Sequence, residues 1–365
     1  MNSVSVVMAT YNGERYIGAQ LESILRQTFP PHELLISDDG STDGTLRIVS
    51  AFAERAPFPV RVRFNSERLG YGENFLNAAQ FCEGTYIAFC DQDDDWHPEK
   101  LERCVEALER EDAVLCAHTA TLIDGNSAYI GFFSQGIAHG ATYPALTLPP
   151  WEVFFGFTQV FRRDLLGLIR FEARGTDSHT LRTSLSHDRW IYFLALSLGK
   201  TVTLAHPLVA YRQHGKNVYG GLKKPLMVRL RGKFNGSADI LRQHMTIALH
   251  RAGLMADLAA TSRPSPIADQ AEQAALYWRR IGETYAMRMQ FYEAPSFAAR
   301  LSRLSAMKKQ GFYEMDESGI SGWKVLMKDI ALGLLRLPLS PRDPSERPAP
   351  ERPSLEQPVR VEERR

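Results

Sequence analysis

The amino-acid sequence predicts an α/β protein with a mostly parallel, Rossmann-like sheet and a C-terminal helical extension. Over residues 1–119, short apolar runs alternate with amphipathic helical patterns, which is typical of strand and helix units in parallel sheets. Polar residues follow directly after three of these runs. Beyond residue 222 the pattern changes to long amphipathic helices, such as 240–258 and 267–291.

The first strand is predicted at residues 4–8, and the helix after it carries Ile17, Leu21 and Ile24 on one stripe. Further strands are predicted at 33–37, 60–64, 86–90 and from 114, with helices at 43–54, 72–81 and 98–108. The next part is predicted to contain a long excursion over 127–150, a strand at 158–161, helices at 164–169 and 187–198, and a strand pair around 202–211.

Charge and composition exclude several classes of protein. A net charge of +1 at pH 7 gives no global field to hold nucleic acid, so no nucleic-acid partner is expected. The N-terminal segment lacks the features of a signal peptide, and we therefore expect a cytoplasmic protein. Four cysteines show no close paired spacing and are expected to be reduced core thiols: Cys82, Cys90, Cys104 and Cys116.

The last part of the sequence shows two further patterns. The apolar segment 325–337 is interrupted by Lys328, Asp329 and Arg336, so it is shorter than the roughly 18 apolar residues that a membrane helix needs. It either packs on its own domain or lies on a membrane surface as a peripheral contact. Residues 338–365 are dense in Pro, Glu and Arg and are predicted to be disordered.

Three of the predicted strands end in polar motifs. Thr-Tyr-Asn at 10–12 follows the first strand, Asp-Asp-Gly-Ser at 38–41 follows the second, and the acidic run 91–95 follows the fourth. In open α/β sheets, ligands bind beyond the carboxyl ends of the strands. We therefore expect these three strand ends to converge on one binding site.

The acidic run at 91–95 crowds several carboxylates into one loop behind a strand that should be buried. Such crowding is costly without a cation, and magnesium or manganese takes carboxylate oxygens and completes its shell with phosphates and water. A calcium-binding loop is an alternative, because Asp91, Asp93, Asp95 and Glu102 match its ligand spacing. Trp96 stands where that loop needs glycine, so the sequence favours a divalent Mn or Mg site.

Three motifs, in this order and at these separations, resemble the donor-binding half of family 2 glycosyltransferases of the GT-A fold. They are VSVVMATYNG at 4–13, SDDGSTDGT at 37–45 and CDQDDDW at 90–96. Three later motifs resemble the acceptor half of bacterial rhamnosyltransferase-like members: GFTQVF at 156–161, HDRW at 187–190 and YRQHG at 211–215. The resemblance spans about residues 1–220.

The resemblance implies a domain organisation. Residues 1–221 are expected to form a nucleotide-diphospho-sugar transferase domain, with a nucleotide-sugar half at 1–119 and an acceptor half at 120–221. The helical extension then covers 222–337 and precedes the tail 338–365.

The resemblance also implies roles on the donor side. Ala9, Thr10 and Tyr11 are expected to contact the base and the ribose, and Asp39 is expected to bind the pyrimidine imide. Asp38 is expected to support that loop or to contact the ribose, although a turn with its own capping bonds explains Asp38 and Asp39 equally. Asn74 is expected to line the nucleotide cleft, where a loop residue before a helix is the alternative.

For the metal and the acceptor, the resemblance implies that Asp93 is the direct metal ligand and that Asp91 contacts ribose and metal. Asp95 and Trp96 are expected near the acceptor, with a core position as the alternative for Trp96. Each remaining assignment has an alternative. His214 is expected to contact the metal or a phosphate, unless it is an ordinary histidine, and Arg212 is expected to contact the diphosphate, unless it forms a surface ion pair. Trp190 is expected to stack on a sugar, unless it is a core residue.

Asp188 resembles the catalytic base of the family. An acceptor hydroxyl needs a positioned base to accept its proton, and Asp188 lies near the start of a predicted helix, whose amino end favours negative charge. The alternative is that Ser186 or Asp188 only caps that helix. With Asp188 as the base, one in-line displacement inverts the anomeric centre.

The sequence therefore predicts an inverting, metal-dependent, non-processive glycosyltransferase. It would move a sugar from a dTDP- or UDP-sugar to a hydroxyl of a glycan or lipid-linked acceptor, in the synthesis of cell-surface polysaccharide. A sugar nucleotidyltransferase is an alternative, but residues 10–15 lack its glycine-rich phosphate loop. A non-catalytic nucleotide-sugar-binding scaffold is the other alternative, against which Asp93 and Asp188 argue.

Overall fold

The computed structural model describes residues 2–178, 183–214, 238–313 and 322–335. Within these residues, ten strands form one sheet in the order β3-β2-β1-β4-β9-β6-β10-β5, with β7 paired to β6 and β8 paired to β10. The strands are β1 Val4–Thr10, β2 Glu33–Asp38, β3 Val60–Phe64, β4 Tyr86–Cys90, β5 Asp95–Trp96, β6 Leu115–Ile123, β7 Tyr129–Phe133, β8 Ala141–Tyr143, β9 Gln159–Arg162 and β10 Thr201–Arg212.

Helices cover both faces of this sheet. Those of the α/β part are α1 Ile17–Leu25, α2 Thr45–Ala53, α3 Tyr71–Ala79, α4 Lys100–Glu111, α5 Asp164–Leu168 and α6 His187–Leu198. The later helices are α7 Ala238–Thr261, α8 Pro266–Glu293, α9 Phe297–Lys309 and α10 Trp323–Lys328, which continues into a π-helical turn at Asp329–Leu334.

The sheet is parallel in its first half and mixed in its second. Strands β3, β2, β1 and β4 are parallel neighbours, as the alternation of strands and helices predicts. Strand β9 then lies between β4 and β6 and is antiparallel to both. The expectation of a mostly parallel sheet therefore holds for the first half, and the complete sheet is mixed because β9 enters from the acceptor half.

The parallel strands β1, β2 and β4 are buried on both faces, which explains their nearly continuous apolar sequences. In β1, Val7 packs in the core on one side of the sheet, while Val6 and Met8 pack in the core on the other side. The register pairs Thr10 with Asp38 and Met8 with Cys90. The polar residues that follow these strands therefore meet at one edge.

The helical extension packs directly on the α/β part. The indole Nε1 of Trp278 on α8 donates to the Ser197 hydroxyl on α6 at 2.9 Å. The buried Arg251 guanidinium on α7 lies 4.5 Å from the Trp278 ring and 5.0 Å from the Phe193 ring. The two parts share one hydrophobic core, although the predicted boundaries at 221 and 337, with the tail 338–365, lie outside the described residues.

Several details of the second half differ from the sequence prediction. The predicted strand pair around 202–211 is one strand, β10, whose pairing with β6 shifts register twice. The short strands β5, β7 and β8 were not predicted, because they are two to five residues long and lie in segments without a clear period. All four cysteines are buried and free, as expected. Among the described residues, no helix is long and apolar enough to cross a membrane.

The junction between α6 and α8 gives a first prediction. Trp278 is fully buried, and replacing such a side chain by alanine costs about 3–5 kcal/mol. We expect Trp278→Ala to lower the Tm of the whole chain in one calorimetric transition, because the two parts share a core. Leu276→Ala, at a neighbouring position that is 61% exposed, is the control and should change the Tm little. Two separate transitions would contradict a shared core.

Candidate active site

A cleft of about 730 Å³ opens at the carboxyl ends of the parallel strands. The end of β1, the acidic loop after β4, the start of α3 and the start of α6 all contribute to its walls. Nine residues predicted for the site line it: Ala9, Thr10, Tyr11, Asp39, Asn74, Asp91, Asp93, Asp188 and His214. The strand ends therefore converge as the sequence predicts.

The loop after β1 carries Tyr11 into this cleft. The Gln92 side-chain amide accepts from the Tyr11 backbone N–H at 3.0 Å and donates to the Tyr11 carbonyl at 3.1 Å. The Arg68 guanidinium lies over the Tyr11 ring, 3.8 Å from its centre. Neither role was visible in the sequence, since Gln92 and Arg68 both act on Tyr11 from distant positions of the chain.

Asp38 supports the loop after β2 and does not line the cleft. One carboxylate oxygen accepts from the Gly40 and Ser41 backbone N–H groups at 3.1 and 2.7 Å, and the other accepts from the Thr10 hydroxyl at 2.8 Å. Asp38 is 1% exposed. Two roles were expected for Asp38, and the geometry fits support of the loop. The expected ribose contact does not fit, because these bonds occupy both oxygens of the buried carboxylate.

Asp39 holds the loop at 65–70 against the cleft. Its Oδ1 accepts from the Asn65 amide at 3.0 Å and the Leu69 N–H at 2.8 Å, and its Oδ2 accepts from the Gly70 N–H at 2.7 Å. Gly70 has φ of 79°, a conformation that favours glycine. Asn74 donates to the Ser37 carbonyl at 2.9 Å, so both predicted residues line the cleft while they also shape it.

The acidic loop is the most strongly perturbed part of the cleft. Burial raises the pKa of Asp91 to about 7, with the Asp93 and Asp188 carboxylates adding to the shift and Lys100 opposing it. Burial and the Asp93 and Asp91 carboxylates raise the pKa of Asp94 well above its usual value. Asp93 Oδ2 lies 2.7 Å from His214 Nε2. Asp188 thus lies close enough to the acidic loop for its charge to act on Asp91.

Arg212 and Asp94 hold the acidic loop from behind and face away from the cleft. The Asp94 Oδ1 accepts from the Arg212 backbone N–H at 2.9 Å, and the Arg212 Nε donates to the Asp93 carbonyl at 2.8 Å. Arg212 is 2% exposed. The expected contact of Arg212 with a diphosphate, and the alternative surface ion pair, are therefore both corrected: its side chain is buried against backbone carbonyls.

Three further residues predicted near the acceptor do not line the cleft. Trp96 is 1% exposed, with the Lys100 ammonium 3.4 Å from its ring centre. Trp190 is fully buried and packs 5.4 Å from the Phe193 ring. Asp95 pairs with Arg26 at 3.0 Å on the outer side of the loop. Both tryptophans are therefore core residues, and the expected sugar-stacking and acceptor contacts are not what their positions allow. Asp95 was also expected near the acceptor, but it forms an ion pair outside the cleft.

Lys100 is a buried cation that the sequence analysis missed. Its ammonium donates to the Phe157 carbonyl at 2.7 Å, and burial lowers its pKa to about 8 while Cys90, Cys104, Asp94 and Asp91 oppose the shift. A lysine at the first position of an amphipathic helix normally faces water. The signal in the sequence was its place five residues after the end of an acidic run that crowds several carboxylates together.

Asp188 lies at the start of α6, and only one side of its carboxylate is engaged. Asp188 Oδ1 accepts from the Ser186 hydroxyl and from the Arg189 N–H at 2.8 Å. Among the described residues, Oδ2 has no hydrogen-bond partner, and Asp188 lines the cleft. His187 is instead buried between the Phe75 and Phe89 rings, 4.3 and 4.8 Å away, and burial lowers its pKa.

The residues of the acidic loop suit a divalent cation. Within the described residues, no group of three or more His, Cys, Asp or Glu side chains is assembled as a ready-made metal site. Asp91 and Asp93 nevertheless bring two carboxylates together with the His214 ring, and burial together with the Asp93 and Asp188 carboxylates raises the pKa of Asp91. Carboxylate and imidazole suit manganese, and a hard cation held by one or two carboxylates takes its other ligands from phosphate and water.

Comparison with known proteins identifies the same family as the sequence motifs. Residues 5–167 match the family model described as glycosyl transferase family 2. An uncharacterized glycosyltransferase of Nostoc sp. is 31% identical over 59% of this chain and 66% of its own length. The dTDP-rhamnosyl transferase RfbG of Shigella flexneri is 28% identical over 58% of this chain and 73% of its own.

A solved structure is also similar. The crystal structure of S. aureus TarS 1-349 has a TM-score of 0.48 and 17% identity, covering 84% of this chain and 79% of that chain. The chain spans between 17% and 66% of the length of the first curated relatives that it matches.

Residues 5–167 therefore form a glycosyltransferase family 2 domain, within the GT-A fold that the sequence predicts.

The raised pKa of Asp91 gives a second prediction. Because this pKa lies near 7 in the folded protein and the ordinary value is 3.8, stability is lost as the pH rises through about 7. We expect Asp91→Asn, in metal-free buffer, to raise the Tm by a few degrees at pH 8 and by less at pH 5. Thermal melts across this pH range measure the difference. Asp257→Asn, at an exposed position on α7, is the control. An equal gain at both pH values would contradict the shifted pKa.

Proposed function

We propose that the protein is an inverting, metal-dependent, non-processive glycosyltransferase. It transfers a sugar from a dTDP- or UDP-sugar to a hydroxyl of a glycan or lipid-linked acceptor in the synthesis of cell-surface polysaccharide. The observation that carries the proposal is the position of Asp188, which lines the same cleft as the acidic loop and whose charge contributes to the raised pKa of Asp91. A base and a leaving-group site are needed on opposite sides of one reacting carbon.

The donor side of the cleft supports a nucleotide ligand. Tyr11 is 37% exposed and offers an aromatic surface for a base. Asp39 lies at the adjacent wall, and among the described residues its Oδ2 accepts only from the Gly70 N–H, which leaves one lone pair of that oxygen for a ligand. The name of the Shigella relative, a dTDP-rhamnosyl transferase, supports a dTDP-sugar among the donors.

Asp93, Asp91 and His214 would hold the cation, either manganese or magnesium. When bound, it would neutralise the negative charge that develops on the departing nucleotide diphosphate. Gln92 keeps these ligands next to Tyr11, because its amide joins the acidic loop to the loop after β1. The acidic loop would bind the diphosphate with its metal, and the loop after β1 would bind the base. Gln92 joins the two loops, so both parts of one nucleotide would meet a single connected surface.

Asp188 Oδ2 is the proposed proton acceptor. Ser186 and the Arg189 N–H fix the orientation of the carboxylate through Oδ1, and among the described residues Oδ2 of this cleft-lining side chain has no hydrogen-bond partner. As the acceptor oxygen forms its bond to the anomeric carbon, its proton passes to Asp188 and the bond from that carbon to the diphosphate oxygen breaks. One displacement of this kind inverts the anomeric centre.

The acceptor side of the cleft is aromatic. Phe157 and Tyr211 lie 4.4 Å apart, and Phe155 lies 6.0 Å from Phe157, with all three lining the cleft. Gly156 lies between them, and a Cβ there would stand 2.3 Å from His187 Nε2. An aromatic wall next to the base suits the apolar face of a sugar ring or the first part of a lipid carrier.

The test is a screen of dTDP-, UDP- and GDP-sugars that measures nucleotide release with manganese, with magnesium and with a chelator. We expect release from a dTDP- or UDP-sugar that requires the metal. In Asp188→Asn, donor binding should be retained while transfer falls about 10²–10⁴-fold, since the base is lost and the donor wall is intact.

Asp164→Asn is the matched control, because Asp164 also lies in the first turn of a helix but is exposed and outside the cleft. It should transfer sugar at the normal rate. Undiminished transfer by Asp188→Asn would exclude Asp188 as the base, and activity that persists under full chelation would exclude the metal.

We further propose a peripheral position at the inner, cytoplasmic face of the cell membrane, through helix α10. Trp323 and Met327 are 66% and 55% exposed, lie one turn apart on this helix and have the exposed Lys324 beside them. The following turn is anchored by the buried Asp329, which accepts from Arg288 at 2.6 Å and from Tyr313 at 3.0 Å. An apolar face with lysine suits an anionic lipid surface.

Flotation of the full chain with phosphatidylglycerol-containing vesicles measures this contact. We expect Trp323→Ala to weaken binding about tenfold, since burying a large apolar side chain contributes about 1.5–3 kcal/mol. Tyr129→Ala, at an aromatic position on β7 that is 67% exposed, is the control and should bind normally. Equal binding by both variants would locate any membrane contact elsewhere.

A further inference from the structure

The turn between β6 and β7 is held by its own hydrogen bonds and lies next to Tyr16, since a Cβ on Gly125 would stand 3.0 Å from the Tyr16 hydroxyl. The Asp124 carboxylate accepts from the Asn126 and Ala128 N–H groups at 2.8 and 2.9 Å, and the Asp124 carbonyl accepts from the Ser127 N–H at 3.0 Å. Ser127 has φ of 67°, in the left-handed region. These bonds fix where the Asp124 carbonyl and the Ser127 hydroxyl point.

Arg212 joins this turn to the acidic loop. Its Nη1 donates to the Asp124 carbonyl at 3.1 Å and to the Ser127 hydroxyl at 2.8 Å. Its Nε donates to the Asp93 carbonyl at 2.8 Å. One planar guanidinium therefore spans the distance between a fixed turn and the backbone of the residue that the proposed function assigns to the metal.

The same arginine also orients His214. The Arg212 guanidinium lies 4.8 Å from the centre of the Tyr16 ring, and the His214 ring stacks on that tyrosine at 5.0 Å, with 30° between the planes. His214 follows Arg212 by two residues, and its Nε2 lies 2.7 Å from Asp93 Oδ2. Arg212 thus contacts the supports of both Asp93 and His214.

We propose that Arg212 is a positioning residue, which sets the affinity of the acidic loop for a divalent cation by tying Asp93 and His214 to the β6–β7 turn. The inference rests on the proposed function, because it assumes that this loop binds a cation. Arg212 itself does not touch the ligand. It fixes the Asp93 backbone and the His214 ring before the cation arrives, so that little reorganisation is left for the binding step.

A lysine cannot replace this arginine. The guanidinium makes its bonds in two directions from a rigid plane, whereas a single ammonium reaches either the turn or the Asp93 carbonyl. Arg212→Lys therefore keeps the positive charge and removes the link. Ser127→Ala is a milder change, because it removes one of the two bonds at the turn and leaves the Asp93 bond in place.

The experiment measures Mn²⁺ binding to the full chain without donor, by electron paramagnetic resonance titration of free Mn²⁺, together with the Tm of each variant. We expect Arg212→Lys to raise the Kd for Mn²⁺ about 10- to 100-fold, the usual effect of losing a residue that orients metal ligands. Ser127→Ala should raise it about fivefold, as expected for the loss of one hydrogen bond. Asp93→Ala gives the reference for a lost site.

Arg251→Lys is the matched control. Arg251 is also a buried arginine, but it packs among aromatic rings between α6 and α8, remote from the acidic loop. It should lower the Tm and leave the Kd for Mn²⁺ unchanged. This separates a general loss of stability from a loss of metal affinity.

Each outcome decides the question. If Arg212→Lys and Ser127→Ala lower the Tm but bind Mn²⁺ like the wild type, the positioning role is wrong and the proposed function stands. If the wild-type chain binds no Mn²⁺, the metal part of the proposed function fails and the inference fails with it. If Arg212→Lys does not fold, Ser127→Ala decides alone, and an unchanged Kd in that variant overturns the inference.

Discussion

Repulsion among carboxylates at the end of one buried strand is the constraint on which the rest of the site depends. Asp91, Asp93 and Asp94 follow β4 within four residues, and Asp188 adds its charge from the start of α6. On the protein side, the charge of the buried Lys100 opposes these carboxylates, and Arg212 donates its backbone N–H to Asp94. The Lys100 ammonium also bonds to the Phe157 carbonyl, and the Arg212 guanidinium bonds to the Asp93 carbonyl. The loop is therefore fixed in position, while burial and the neighbouring carboxylates keep the pKa of Asp91 raised.

Burying these charged groups lowers the free energy of unfolding, and a bound ligand of opposite charge would restore it. A shifted pKa measures how much free energy the folded protein gives up to keep a group in one protonation state. Asp91 and Lys100 are both shifted towards their neutral forms, because burial penalises each charge more than the neighbouring opposite charge compensates it. Such tension at a cleft is typical of sites that are completed by a charged ligand. In the proposed function, the ligand is a cation together with a nucleotide diphosphate.

The sequence predicted the parts of the site that follow from strand order. Thr10, Asp39 and Asp91 meet because parallel strands bring their carboxyl ends to one edge, and the alternation of strands and helices is visible in the sequence. The sequence could not show which side of the acidic loop each residue would face. Arg212 meets Asp94 across 118 positions of the chain, and Trp96 turns inward because β5 pairs with β10. Lys100 was missed for the same reason, since its partner Phe157 belongs to the acceptor half.

The side-chain amide of Gln92 extends the hydrogen bonding between β1 and β4 by one further pair of bonds. It donates and accepts with the Tyr11 backbone as a strand would, at a point where the two strands have already separated. A Cβ on residue 13 would stand 2.3 Å from the Gln92 amide oxygen, so this pair of hydrogen bonds also requires Gly13. The two loops are consequently tied to each other, and the loop at 65–70 joins them from a third side, since Asp39 accepts from its backbone and Arg68 lies over the Tyr11 ring. A substitution at Arg68 would therefore be felt at Tyr11 and, through Gln92, at the acidic loop.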